Sequence, residues 1–171
     1  MKNFFKATVF LWIGGLLGII QQLLGKIYSP YSLFNLSDIM GSISFWSAFI
    51  LLLLIRRRKT PKEHFRDVFL LFLGLDFFYY IYIFAMDIYY YLSYNQSVHS
   101  NEKEFSYFFQ NTLSEIPDFI KWTLIGLAAA ILGYFALTSR DKEKKKLYFI
   151  LIAPFFIVFI FTFIYITIII I

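Results

Sequence analysis

The chain has 171 residues, of which 60% are hydrophobic and 23% are aromatic, and its formal net charge is +5. Soluble domains are only about half apolar, so this composition favours an integral membrane protein. The sequence contains no cysteine, which excludes disulfides, thiolate nucleophiles and cysteine metal sites from this chain.

Five long apolar stretches follow one another along the chain, separated by shorter polar segments. Each falls within the roughly 17–25 residues that a transmembrane helix needs. We therefore predict an all-α, polytopic membrane protein with a bundle of five transmembrane helices. The polar segments are too short for a separate soluble domain, so residues 1–171 form one transmembrane domain. The predicted spans are residues 7–24, 39–55, 68–92, 119–137 and 147–171.

The basic residues sort to one side of these spans. All sixteen Lys and Arg residues except Lys26, Lys103 and Lys121 lie before span one, between spans two and three, or between spans four and five. Short loops rich in Lys and Arg stay cytoplasmic, which predicts an N-in/C-out topology. Such juxtamembrane cations contact anionic lipid headgroups, and each contributes about 1 kcal/mol of attraction to the membrane surface. The lipid bilayer is therefore the expected partner of the net positive charge, and nucleic acid is not.

Small residues recur at helical spacing in spans one and four. Gly14 and Gly18 are one turn apart in span one, and span four has Gly126 with Ala130, and Ala129 with Gly133. A small-xxx-small pair lets two helix backbones approach closely. We predict that these residues form packing seams within the bundle; a homodimer contact is the alternative.

The segment between spans three and four predicts an additional helix over residues 102–116. Its apolar residues recur at helical spacing, and Asn101 with Glu104 forms a capping box. An amphipathic helix of this kind lies flat in the outer interface. It would serve as a structural anchor, or alternatively as a lid or docking surface for an extracellular partner.

Span three contains two aspartates, Asp76 and Asp87, within an apolar sequence. The two aspartates are eleven residues apart, which is close to three helical turns. Both side chains therefore point to one face of the helix, about 16 Å apart along its axis. Tyr80 and Tyr91 extend this polar face. An aspartate at a helix centre costs about 2.5–3.5 kcal/mol on insertion scales, so the face should turn toward the bundle interior or a wet cavity.

Three roles for this face compete. The aspartates would fix helix packing through hydrogen bonds, or they would line a cavity for a cation or a proton. An intramembrane aspartyl protease is excluded within one chain, because its two carboxylates must share a proton and these lie about 16 Å apart.

The sequence carries no familiar catalytic, cofactor-binding or metal-binding motif. His64 falls in the predicted cytoplasmic loop and His99 in the outer loop, so they cannot share a site. We therefore expect no catalytic residues, cofactor or metal, and favour a membrane-embedded binding or accessory subunit. Its partner would be a membrane protein or a peptide, as for an immunity-type protein. The alternative is a small proton-linked or cation transporter that uses Asp76 and Asp87.

Overall fold

The computed structural model describes residues 2–27, 43–55, 60–95, 110 and 113–170. Those residues are almost entirely helical and include no strand, so the all-α prediction is confirmed for the part described. They form five long helices, which we number in chain order: α1, Lys2–Ile27; α2, Ile43–Ile55; α3, Pro61–Asn95; α4, Ile116–Asp141; and α5, Lys145–Ile170.

Two stretches of helix are long and apolar enough to cross a membrane, Pro61–Ser93 in α3 and Ile116–Asp141 in α4. The apolar helical stretches Thr8–Leu24 and Phe45–Ile55 are shorter within the described residues. Length and composition thus support two candidate spans. The count of five spans and their orientation stay predictions.

α3 and α4 both begin before the predicted spans they contain. α3 starts at Pro61 because Thr60 and Glu63 cap it reciprocally. The Thr60 N–H donates to Glu63 Oε2 over 3.1 Å, and the Glu63 N–H donates to Thr60 Oγ1 over 3.3 Å. α4 starts at Ile116, which places Pro117 in its first turn, where the missing N–H costs nothing. Most of the predicted interfacial helix 102–116 lies outside the described residues.

α3 is the central helix, with α1 and α4 as its main neighbours, while α5 packs against α2 and α4. Successive contacts show that α1 runs parallel to α3, since Gly14 faces Leu71 and Gly18 faces Leu75. α4 runs antiparallel to α3, because its residue numbers fall as those on α3 rise. The paired residues are His64 with Gly133, Phe72 with Gly126, Asp76 with Thr123, and Tyr80 with Phe119.

The α1–α3 contact requires glycine on both helices. A methyl group on Gly14 would overlap the carbonyl oxygen of Leu71, and one on Gly74 would overlap the carbonyl oxygen of Leu11. On Gly18 it would lie 2.5 Å from the carbonyl oxygen of Leu75. The two backbones therefore touch directly, as small residues in membrane helices permit.

The small residues of α4 lie against α3 or inside the core. A methyl group on Gly126 would meet the Cβ of Phe72, and one on Gly133 would meet the imidazole of His64. Ala130 is fully buried. Ala129 is also buried, so all six small residues named from the sequence lie at contacts within the chain or in its core.

His64 does not lie in the loop to which sequence analysis assigned it, but in a helix, where it is fully buried. Because α3 begins at Pro61, His64 occupies its first turn and packs against α4 at Gly133. Asp67, one turn later, is also buried and pairs with Arg66 at 2.9 Å. The first turns of α3 thus belong to the packed bundle.

A polar cavity beside Asp76

α3 carries Asp76 into the interior of the bundle, where the residue is only 2% exposed. The Thr123 hydroxyl on α4 donates a hydrogen bond to Asp76 Oδ2 over 3.3 Å. That distance is long for an O–H···O bond, so the contact is weak. The described residues supply no cation that pairs with this carboxylate.

A cavity of about 210 Å³ lies beside Asp76, and residues of α1 to α4 contribute to its walls. We call it the Asp76 cavity. It extends from Asp76 toward the end of the bundle at which α1 ends and α4 begins. Its lining combines three carboxylates with five aromatic rings: Gln21, Trp46, Phe72, Leu75, Asp76, Tyr79, Tyr80, Glu115, Asp118 and Trp122.

The charges at this cavity are unevenly compensated. At its mouth, Asp118 pairs with Lys121 over 3.2 Å, and both side chains are more than half exposed. The Lys121 ammonium also lies 5.6 Å from the centre of the Trp122 ring. No Lys, Arg or His lines the described cavity wall. The deep carboxylate of Asp76 therefore faces the cavity without a counter-charge among the described residues.

Asp87 lies at a different place. It lines an apolar cavity of about 290 Å³ between α3 and the start of α4, together with aromatic and aliphatic residues such as Phe77 and Phe84. Tyr80 contributes to both cavities, and its ring stands edge-on to Phe119 at 5.5 Å. Tyr91 is partly exposed and lines neither. The structure thus brings Tyr80 to Asp76 but assigns Asp87 and Tyr91 other surroundings.

Several residues of the Asp76 cavity were not singled out from the sequence. Trp122, Asp118 and Glu115 share the cavity with Asp76 only through the antiparallel register of α3 and α4, which also brings Thr123 to Asp76. Gln21 arrives through the parallel register of α1 and α3. The local signal available was an acidic and aromatic cluster around the start of α4, but its depth and its partner helix are tertiary properties.

Within the described residues, no group of three or more His, Asp or Glu side chains is placed to hold a metal ion. Asp76, Glu115 and Asp118 share a cavity but do not converge on one point.

No protein-family model matches this sequence, and neither a curated protein nor a solved structure is significantly similar to it.

Proposed function

We propose that this chain is a multi-pass protein of the cell membrane, with a cytoplasmic N-terminus and an external C-terminus, whose role is to bind a partner. Its partner is a membrane protein or a peptide that reaches the Asp76 cavity from the outer side. The chain acts as an accessory or immunity-type subunit and not as an enzyme.

The exposed surface supports the membrane location. Large apolar side chains on several helices face outward, among them Leu52, Phe149 and Phe161, which are 66%, 64% and 69% exposed. Monomeric soluble proteins rarely leave so much apolar surface in water, whereas lipid covers it without cost. The two candidate spans in α3 and α4 agree with this location.

The directions of the helices support the proposed topology. α1 and α3 run parallel, and α4 runs antiparallel to them, as expected if spans one and three leave the cytoplasm and span four returns. α2 also runs against α3, since Trp46 near its start packs on Phe72 and Leu54 near its end accepts a hydrogen bond from Arg140. The basic segments then fall on the cytoplasmic side.

The observation that carries the binding role is the Asp76 cavity itself, because it combines carboxylates with aromatic rings beside a buried aspartate. Phe119 begins the predicted fourth span and contacts Tyr80. Asp76 lies one turn from Tyr80, which corresponds to about 6 Å along α3. In the proposed topology the end of α1 and the start of α4 lie on the outer side, so a ligand from outside would reach the carboxylate through this cavity.

Transport of a cation or proton is the second candidate, favoured by the burial of Asp76. A buried carboxylate inside a membrane is costly and commonly marks an ion or proton path. However, Asp76 and Asp87 line different cavities, and the one at Asp87 is walled mainly by apolar side chains. A path that uses both aspartates would have to join two cavities, which have Tyr80 and Glu115 in common in their linings.

Photocrosslinking in native membranes tests the binding role. A photoreactive phenylalanine analogue replaces Tyr79, which lines the cavity, or Phe161, which is 69% exposed on α5 and serves as the control. We expect one stoichiometric adduct from position 79 that position 161 does not give. The same adducts from both positions, or none from position 79, would contradict the proposal.

Reconstitution separates the two candidates. The purified chain is placed in liposomes and assayed for uptake of protons and of small cations. Uptake by the chain alone that is lost in Asp76→Asn would establish the transporter. If liposomes that contain the chain take up neither protons nor cations, and position 79 gives a specific adduct, the binding role is supported.

A further inference from the structure

We propose that the Asp76 cavity binds an organic ammonium group on a short apolar stem. This inference rests on the binding role proposed above and names the chemistry of the ligand. The group would come either from a small amine or from a lysine side chain of a peptide partner.

The buried carboxylate calls for a cation. A charge taken out of water is expensive unless it is paired and hydrogen-bonded. Asp76 is only 2% exposed, and the described residues offer it one weak hydroxyl contact from Thr123. Glu115 adds negative charge toward the mouth of the same cavity, where Asp118 is paired with Lys121. A positively charged ligand would therefore be attracted by Glu115 near the mouth and by Asp76 inside.

The aromatic walls favour an organic cation. Trp46, Phe72, Tyr79, Tyr80 and Trp122 line the cavity. Aromatic faces attract ammonium groups through the ring quadrupole, with tryptophan the strongest, and they also pack against methylene groups. The Lys121 ammonium over the Trp122 ring, at 5.6 Å from its centre, is an instance of this contact in the chain itself.

The size of the cavity fits this ligand. A volume of about 210 Å³ equals about seven water molecules at the roughly 30 Å³ that each occupies in the liquid. An alkylammonium of four or five carbons fills such a space, whereas a bare metal ion would leave most of it empty. The described residues also place no set of three ligands around one point.

Binding is measured on the protein purified in a maltoside detergent, whose headgroup carries no ammonium. The probes are n-butylammonium and the uncharged 1-butanol, which has the same number of heavy atoms. In a Trp12→Phe background the remaining tryptophans, Trp46 and Trp122, both line the cavity, so their fluorescence reports on it directly. We expect a saturable change with n-butylammonium and none with 1-butanol at equal concentration.

Three variants locate the site. Asp76→Asn should weaken n-butylammonium binding about thirtyfold or more, as expected when one charge of a desolvated pair is removed. Trp122→Leu should weaken it about tenfold through the lost ring contact. Asp87→Asn makes the same chemical change in the other cavity and should leave n-butylammonium binding unchanged. For a variant whose substitution alters the tryptophan fluorescence, such as Trp122→Leu, the affinity is measured by calorimetry.

Equal responses to n-butylammonium and 1-butanol would overturn the proposal, and that comparison needs no variant that might fail to fold. So would parental affinity in Asp76→Asn, or an equal loss in Asp87→Asn. A short apolar peptide with one lysine, compared with its Nε-acetylated form, separates the two sources. If only the lysine peptide competes with n-butylammonium, the ligand is a lysine side chain of a peptide partner. If n-butylammonium binds but neither peptide does, the ligand is a small amine.

The crosslinking experiment keeps this inference distinct from the binding role. Suppose that the adduct at position 79 persists in Asp76→Asn and that the parent chain does not bind n-butylammonium. This result would reject the ammonium ligand and leave the binding role standing. Absence of the adduct in the parent chain would reject the binding role whatever n-butylammonium does.

Discussion

Replacing Gly14 or Gly74 with alanine should destabilise the bundle, although alanine is the better helix former. On helix propensity alone, glycine to alanine in a helix interior stabilises by about 1 kcal/mol. In this structure each added methyl group would overlap a backbone carbonyl oxygen of the opposite helix. Backbone atoms cannot rotate away as a side chain can, so α1 and α3 must move apart.

The expected magnitude follows from these opposing effects. Overpacking a close contact costs about 1–3 kcal/mol, and a clash with backbone on both helices places these sites at the upper end. After the propensity gain is subtracted, each variant should lose about 2 kcal/mol of unfolding free energy. The sign is therefore opposite to the one that helix propensity predicts, which makes the test decisive.

The assay is unfolding of the purified protein in neutral detergent, followed by loss of helical circular dichroism. The matched control is Leu16→Ala, which changes the exposed face of the same helix, where Leu16 is 61% exposed. We expect this control to unfold close to the parent. If Gly14→Ala and Gly74→Ala were as stable as the parent or more so, the close parallel contact of α1 and α3 would be wrong.

Three further predictions concern other contacts. Gly133→Ala should destabilise the protein by about 1–3 kcal/mol because the added methyl group crowds the His64 imidazole. In a His64→Ala background the same change should cost less than about half as much, which a double-mutant cycle of unfolding free energies measures. If Asp76 has a structural role, Asp76→Asn should fold like the parent because the amide keeps an acceptor for Thr123. Asp76→Leu should then lose about 1–3 kcal/mol of unfolding free energy by leaving that hydroxyl unpaired, and equal thermal stability of the parent and the Leu variant would exclude the structural role. Cysteines introduced at Asp118 and Lys142, both exposed positions in a chain without native cysteine, should differ in labelling by an impermeant reagent on intact cells, with position 118 labelled and 142 protected; the reverse pattern would invert the topology.

The sequence was sufficient for the helical class, because long apolar runs without strand signals leave few alternatives. It also identified the small residues of α1 and α4, whose one-turn spacing is local. Gly74 was missed, since it is a lone glycine and only the partner backbone at Leu11 shows why it is small. Interhelical contacts of this kind depend on register, which no single segment encodes.

The misjudged position of His64 had a local signal that went unused. Thr60 and Glu63 have the spacing of a capping box, which marks a helix start at Pro61. The basic character of the surrounding residues instead suggested a cytoplasmic loop between two spans. Pro117 follows the predicted interfacial helix 102–116 and suggests its end, yet proline also occupies first turns, and it lies in the first turn of α4. The Asp76 cavity could not be predicted from the sequence because its lining depends both on where α4 begins and on the register of α3 against α4.

The parallel contact between α1 and α3 separates the order of packing from the order of synthesis. α1 makes its main contact with α3 and, in the part of the chain described, none of note with α2. The end of α3 lies roughly 70 residues beyond the end of α1, and a ribosome adding about 5–20 residues per second needs about 3–14 s to reach it. During that interval the glycine face of α1 lacks its partner helix α3. Whatever holds the first helix through those seconds, whether lipid or insertion machinery, takes part in building the bundle.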